Sequence, residues 1–120
     1  MALPRPEVPV IDPSAMREHA DSAAHLLKAL ANEKRLLILC LLAEGERSVG
    51  DLNALVDLSQ SALSQHLAVL REEGLVDTRR EAQSIYYALS AGPAYRIIQT
   101  LHGIYCAPGA DQAATRGGRR

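Results

Sequence analysis

The sequence predicts a mainly α-helical domain with one small β-hairpin, in the order α-α-α-α-β-β-α. Apolar residues recur at helical spacing in several segments, and residues that cap helices stand at the boundaries of these segments. Two runs, 75–80 and 84–89, are typical of strands, and the link 81–83 joins them as a hairpin. Short helices joined by a tight turn and followed by a hairpin predict a winged helix-turn-helix fold. At 120 residues, the chain has the length of one domain.

The first two helices are predicted from their caps. Asp12 and Pro13 suit the start of a helix, because an aspartate accepts hydrogen bonds from first-turn amides and proline fits the first turn. Asn32 is the expected cap of a second helix, residues 33–44, which ends before a glycine. The centre of this second helix, LLILCLLA, is apolar on every side, which predicts a helix that is buried all round.

Three further helices follow along the chain. Ser48 and Asp51 form a pattern similar to a capping box at the start of a short third helix. Ser59 caps a fourth helix, residues 60–73, and the last helix opens at Pro93. The first and last helices each have an apolar face that no other predicted element covers. We therefore expect a homodimer that forms through these two helices.

The fourth helix carries the side chains expected of a helix that lies in the major groove of duplex DNA. One face is a narrow leucine stripe that docks on the rest of the domain, formed by Leu63, Leu67 and Leu70. The other face has short or amide side chains, which add little bulk and offer donors and acceptors to base edges. The candidate DNA contacts on this helix are Ser59, Gln60, Ser61, Ser64, Gln65 and, on the flank, His66. The alternative is an ordinary solvated face, but such faces usually carry Glu and Lys, which are absent from residues 59–69.

The hairpin is the predicted wing. Arg79 and Arg80 lie beside its tip with Gln83 across from them, where they suit contacts with phosphates or the minor groove. The alternative is that the arginines protect an edge strand from pairing, and Glu81 at the tip favours this alternative because an acid repels phosphate. The formal net charge of −1 argues against binding through bulk charge, so we expect DNA binding to depend on a local face.

These predictions divide the chain into three parts. Residues 1–12 are expected to form a flexible arm, 13–106 the DNA-binding and dimerisation domain, and 107–120 a disordered tail. We expect no membrane span, since no run of about 18 apolar residues is present. The N-terminus lacks the apolar segment of a secretory signal, so we expect a cytoplasmic protein. Paired carboxylates, a nucleophile–base motif and a glycine-rich phosphate loop are not found, so we expect neither an enzyme nor a cofactor.

Three segments resemble the ArsR/SmtB family of bacterial repressors: LKALANEKRLLIL, SVGDLNALVDLSQSALSQHLAVLREEGLV and TRREAQSIYYAL. The resemblance covers residues 20–106 and implies a homodimer that leaves its operator when an inducer, often a metal ion, binds. The chain departs from the metal-sensing members, because RSVGD stands where they carry a Cys-Val-Cys type motif. Zinc sensors of the family are expected to carry pairs of metal ligands on the last helix, and of these the chain has only His102. No metal site is therefore expected at the family's usual positions.

The sequence has two cysteines, Cys40 in the second helix and Cys106 at the end of the last. Taken alone, Cys40 is more often a small core residue than a sensor, whereas Cys106 lies near the chain end and is easier to reach. The segments ILCLLAEGERSVG and LHGIYCAPG resemble the BigR/SqrR-type subgroup, which senses reactive sulfur species or oxidants through two cysteines in these helices. The resemblance implies a bridge between Cys40 and Cys106 within one protomer, by a disulfide or by additional sulfur atoms, that makes the protein release its operator.

Two other functions stay open. One is a metal-responsive repressor of the same fold that uses Cys, His and Asp in an unusual arrangement. The other is a constitutive DNA-binding or partner-binding module whose cysteines are inert core residues. Under the leading hypothesis, the partners are double-stranded operator DNA, a second copy of the chain and a small reactive sulfur species or oxidant.

Overall fold

The computed structural model describes residues 12–105, which form five helices and three strands. In chain order, the elements are α1 (Pro13–Leu30), α2 (Glu33–Ala43), β1 (Arg47–Ser48), α3 (Val49–Leu55), α4 (Gln60–Glu72), β2 (Val76–Glu81), β3 (Ser84–Leu89) and α5 (Pro93–Tyr105). The mainly helical architecture with a hairpin wing confirms the predicted winged helix-turn-helix fold. The expected tail, residues 107–120, and the expected arm as far as residue 11 lie outside the described residues.

The short strand β1 is missing from the order that the sequence predicts. Arg47 pairs with Tyr87 and Ser48 with Tyr86, so the hairpin becomes a three-stranded antiparallel sheet in the order β1-β3-β2. A strand of two residues is too short to show an alternating pattern, and for this reason the sequence gives no signal for it. The corrected order is α-α-β-α-α-β-β-α.

Polar side chains fix where the helices begin, as predicted. Asp12 accepts a hydrogen bond from a first-turn amide of α1 at 3.1 Å, and Asn32 accepts two from α2 at 2.9 and 3.0 Å. Ser48 and Ser59 cap α3 and α4 in the same way, each through its hydroxyl oxygen. After α4, Gly74 has a φ of +73°, a left-handed conformation that favours glycine and ends the helix.

The core lies between α2, α4, α5 and the sheet, and its largest fully buried side chains are Ile38, Leu39, Leu52, Leu63, Leu70 and Ile98. The prediction that α2 is buried all round is wrong. Its buried residues are Ile38, Leu39 and Leu42, whereas Leu37 and Cys40 are exposed. Leu37 and Cys40 lie on the side of α2 that lines an open groove between α2 and α5. Within residues 12–105, no helix is both long enough and apolar enough to cross a membrane.

Candidate functional site

The outward face of α4 presents the polar side chains that the sequence predicts to contact DNA. Leu63, Leu67 and Leu70 are buried, and each contributes about 1.5–3 kcal/mol, which fixes the rotation of the helix about its axis. The exposed residues on the rest of the predicted DNA face are Ser59, Gln60, Ser61, Ser64, Gln65 and Ala68. Burial of the leucine stripe therefore leaves an uncharged polar surface turned to solvent.

His66, the remaining predicted contact on α4, also contacts the protein. It is half-buried, and Nη1 of Arg35 donates a hydrogen bond to its Nδ1 at 3.3 Å. Burial lowers the pKa of His66 below its ordinary value, and the positive charge of Arg35 lowers it further. The imidazole is therefore neutral at neutral pH and acts as an acceptor toward α2.

The two arginines of the wing lie on opposite faces of the hairpin, because successive residues of a strand point to opposite sides. The hairpin turns at Ala82 and Gln83, and Ala82 has a φ of +57°, as tight two-residue turns require. Arg80 stands directly opposite Ile85, which lines a groove against α4. Arg80 therefore lies on the α4 side of the wing, and Arg79 lies on the far side.

Arg79 is bound to two acidic side chains. Its guanidinium donates to both carboxylate oxygens of Glu46, at 2.7 and 2.8 Å, and to Glu81 at 2.5 Å. It also lies over the ring of Tyr86, 4.6 Å from the centroid. These pairs raise the pKa of Arg79, and the hydrogen bond from Arg79 lowers the pKa of Glu46. Sequence reasoning missed Glu46 because it stands 33 positions from its partner.

A groove of about 710 Å³ separates α4 from the hairpin. Ser64 and Arg71 line it on the α4 side, and Ile85 and Tyr87 line it on the hairpin side. Arg71 is absent from the predicted contacts, although it follows Ser64 by seven positions, a spacing that places both on one helix face. Arg71 carries a positive charge at the border of the uncharged face of α4, with Glu72 in the same groove, and Arg80 lies on the α4 side of the wing.

A second groove, of about 530 Å³, lies between α2 and α5 and contains Cys40. Its walls are mainly apolar, and the residues that line it together with Cys40 include Leu37, Leu41, Tyr95, Ile98, His102 and Gly103. Cys40 is exposed, so the expectation that this residue belongs to the core is wrong. Cys106 lies outside the described residues, and its pairing with Cys40 stays a prediction.

The structure also bears on the metal hypothesis. Among residues 12–105, no three side chains of His, Cys, Asp or Glu come close enough together to hold a metal ion. The segment RSVGD, which stands in place of the metal-binding motif, contains Arg47. Arg47 has a structural role, because it donates hydrogen bonds to the carbonyl of Leu41 at 3.2 Å and to Glu44 at 2.9 Å. His102 lines the groove that contains Cys40.

Several proteins similar to this chain carry the names of transcriptional regulators. The family model of the "bacterial regulatory protein, arsR family" matches residues 32–78, from the cap of α2 into β2. The chain is 54% identical over 91 residues to the transcriptional activator HlyU of Vibrio cholerae, covering 76% of this chain and 84% of that protein. It is 53% identical over 94 residues to the biofilm growth-associated repressor of Agrobacterium fabrum, covering 78% and 80% respectively. The solved structure of reduced HlyU from Vibrio cholerae superposes with a TM-score of 0.75 at 52% identity, covering 78% of this chain and 99% of that one.

Proposed function

Because the chain belongs to the ArsR family of DNA-binding transcriptional regulators, we propose that it is a repressor that releases operator DNA when Cys40 and Cys106 are bridged. The inducer is a reactive sulfur species, such as an organic persulfide, or an oxidant, and the protein acts in the cytoplasm, where the operator is. The observation that carries this proposal is the exposed Cys40 in a groove against α5, the helix that Cys106 follows in sequence.

Operator binding is proposed to take place through α4. Its exposed serine and glutamine side chains suit base edges, with Ser64 and Gln65 nearest the middle of the helix. Arg71 and Arg80 lie toward the space between α4 and the hairpin and suit contacts with phosphates beside the major groove. Gln83 in the wing turn is exposed and extends the contact surface at the tip.

A homodimer through α1 and α5 is supported by large apolar side chains that these outer helices leave exposed. They are 41–55% exposed: Met16 and Leu27 on α1, and Tyr95, Ile104 and Tyr105 on α5. Burying such side chains between two copies is favourable. A twofold dimer reads successive major grooves when its two α4 helices stand about 34 Å apart.

The chemistry of the switch starts at the Cys40 thiolate. It attacks the outer sulfur of a persulfide RSSH, the S–S bond breaks, RS⁻ leaves and Cys40 becomes a persulfide. Cys106 then attacks the Cys40 sulfur and releases hydrosulfide, which leaves a disulfide. If Cys106 has also become a persulfide, the two groups condense to a trisulfide with loss of H₂S. With peroxide, Cys40 becomes a sulfenic acid and Cys106 displaces water to give the disulfide.

The position of Cys40 explains how a bridge would reach the DNA-binding face. His102 and Gly103 of α5 line the same groove as Cys40, and Cys106 follows His102 by four positions in the sequence. A bridge ties α5 to α2 and changes how α5 meets the second protomer, so the two α4 helices move relative to each other. A coupling of about 1–3 kcal/mol between the two sites lowers operator affinity by about 5–150-fold.

The proposal is tested with an operator duplex selected from a random DNA pool by the reduced protein. We expect Cys40→Ser and Cys106→Ser to bind this duplex as the unmodified protein does and to stay bound when an organic persulfide is added. Fluorescence anisotropy of the labelled duplex measures both properties. Release that persists in both single variants refutes the switch.

Mass spectrometry of the treated protein separates the proposed bridge from the other functions. A disulfide lowers the intact mass by about 2 Da, and each inserted sulfur adds about 32 Da. Thiols that stay unmodified indicate a constitutive module. Displacement of DNA by zinc or arsenite, with no change in covalent mass, indicates a metal-responsive repressor.

A further inference from the structure

The side chain of Arg35 joins three helices. It lies in the first turn of α2 and is half-buried. Its Nε donates to the carbonyl of Ala29 at 2.6 Å, and its Nη2 donates to the carbonyl of Lys28 at 3.2 Å, both in the last turn of α1. Its Nη1 donates to Nδ1 of His66 on α4 at 3.3 Å. One guanidinium therefore connects the end of α1 with the flank of α4.

The end of α1 holds Arg35 in a defined place. The last four carbonyls of an α-helix have no partner within the helix. The carbonyl of Leu27 accepts from the amide of Ala31 at 2.8 Å. The carbonyl of Leu30 accepts from the amide of Asn32, also at 2.8 Å. Arg35 bonds to the two carbonyls between them, so the last turn of α1 is fully satisfied and the guanidinium is anchored in two directions.

The contact with His66 defines the state of the imidazole ring. A guanidinium has donors only, so Nδ1 must accept and the ring proton must lie on Nε2. Among residues 12–105, the charged group acting on the ring is Arg35, and with burial it keeps the pKa of His66 low and the ring neutral. The contact therefore selects one tautomer of one protonation state.

We propose that Arg35 is a positioning residue for operator binding, which holds α4 through His66 in a fixed place against the end of α1. The inference rests on α4 being the DNA-reading helix. Burial of the leucine stripe fixes the rotation of α4, and the hydrogen bond adds a directional constraint that apolar packing lacks. His66 directly follows Gln65 and stands two positions after Ser64, so an error in its placement moves the side chains proposed to meet base edges.

Two substitutions of His66 separate this role from a direct contact with DNA. In His66→Asn, the amide oxygen takes the place of Nδ1 and still accepts from Arg35. In His66→Gln, the polar group extends toward the place of Nε2 and the acceptor for Arg35 is lost. We expect His66→Asn to bind the selected operator duplex within about twofold of the unmodified protein and His66→Gln to bind about tenfold more weakly, the loss typical of one hydrogen bond to a charged group.

A double-mutant cycle with Arg35→Lys checks that the loss passes through this pair. Lysine keeps the positive charge, but its single nitrogen cannot occupy the three positions from which Nε, Nη1 and Nη2 of Arg35 donate. We expect Arg35→Lys to lose about tenfold in affinity and Arg35→Lys combined with His66→Gln to lose no more than either alone. Additive losses would overturn the proposal, because the two side chains would then act independently. A normal affinity for His66→Gln with a weak affinity for His66→Asn would also overturn it, because the ring would then act through Nε2.

The tautomer gives a readout that does not depend on DNA. We expect the ¹⁵N chemical shifts of His66 in the protein without DNA to show the proton on Nε2, and Arg35→Lys to give a mixture of tautomers. A proton found on Nδ1 in the unmodified protein excludes the hydrogen bond and with it the positioning role. The positioning role also fails if the tautomer is as expected but no variant of His66 or Arg35 affects operator binding. In that case, loss of operator binding by Gln65→Glu would still support α4 as the reading helix.

Discussion

Helix α4 and the β2–β3 hairpin both carry side chains that the sequence predicts to contact DNA, but they hold them in different ways. On α4, short side chains point outward because the buried leucine stripe fixes the rotation of the helix. On the hairpin, adjacent arginines have different surroundings: Arg79 is bound to Glu46 and Glu81, and Arg80 lies on the side facing α4. A short side chain takes its direction from the backbone, whereas a long one takes it from the partners within its reach.

A charge placed on α4 is expected to have the largest effect. Gln65→Glu adds a carboxylate to the uncharged face, where it would approach the bases and phosphates of the operator. We expect operator affinity to fall by about 100-fold or more, because like charges at an interface cost several kcal/mol. Anisotropy titration at fixed salt measures the loss. Ala91→Glu adds the same charge at an exposed position after the end of β3 and should change affinity little; equal losses in both variants would mean that α4 is not the reading face.

The two arginines of the wing are expected to differ in how their loss changes the salt dependence of binding. Arg80→Ala should weaken binding and reduce the slope of log affinity against log salt by about one, as the loss of one phosphate contact does. Arg79→Ala should leave the slope unchanged, since two carboxylates already compensate its charge. Titrations at several salt concentrations give the slopes. The comparison fails if Arg79→Ala lowers the slope as much as Arg80→Ala.

The smallest effect is expected for the stability of the wing. In the folded protein, Arg79 lowers the pKa of Glu46 below its ordinary value of 4.5, so the pair stabilises the fold above that pH. This contribution is lost as the pH falls through the lowered pKa. We expect Glu46→Gln to melt at a slightly lower temperature than the unmodified protein near neutral pH, and the difference to disappear once the pH falls below the lowered pKa of Glu46. A difference in melting temperature that is independent of pH would show that the ion pair is not its cause.

The sequence predicts those features whose causes lie within a few residues. The caps Asn32 and Ser59 bond to amides two or three positions away, so their helices are correctly predicted from local pattern. Arg35 and His66 are 31 positions apart, and no local pattern indicates that they meet. The run around Cys40 shows a second limit, since an apolar helix face looks the same in the sequence whether it meets a core or a groove.

The two-residue strand β1 connects the wing to the helix-turn-helix through one residue. Ser48 belongs to β1, which pairs with the middle strand of the sheet, and the same residue caps α3 at the start of the helix-turn-helix. The wing and the helix-turn-helix are thereby joined into one continuous block, residues 47–89. In the sequence, α1 and α2 precede this block and α5 follows it. Because one residue serves both elements, the wing and the start of the helix-turn-helix cannot shift independently of each other.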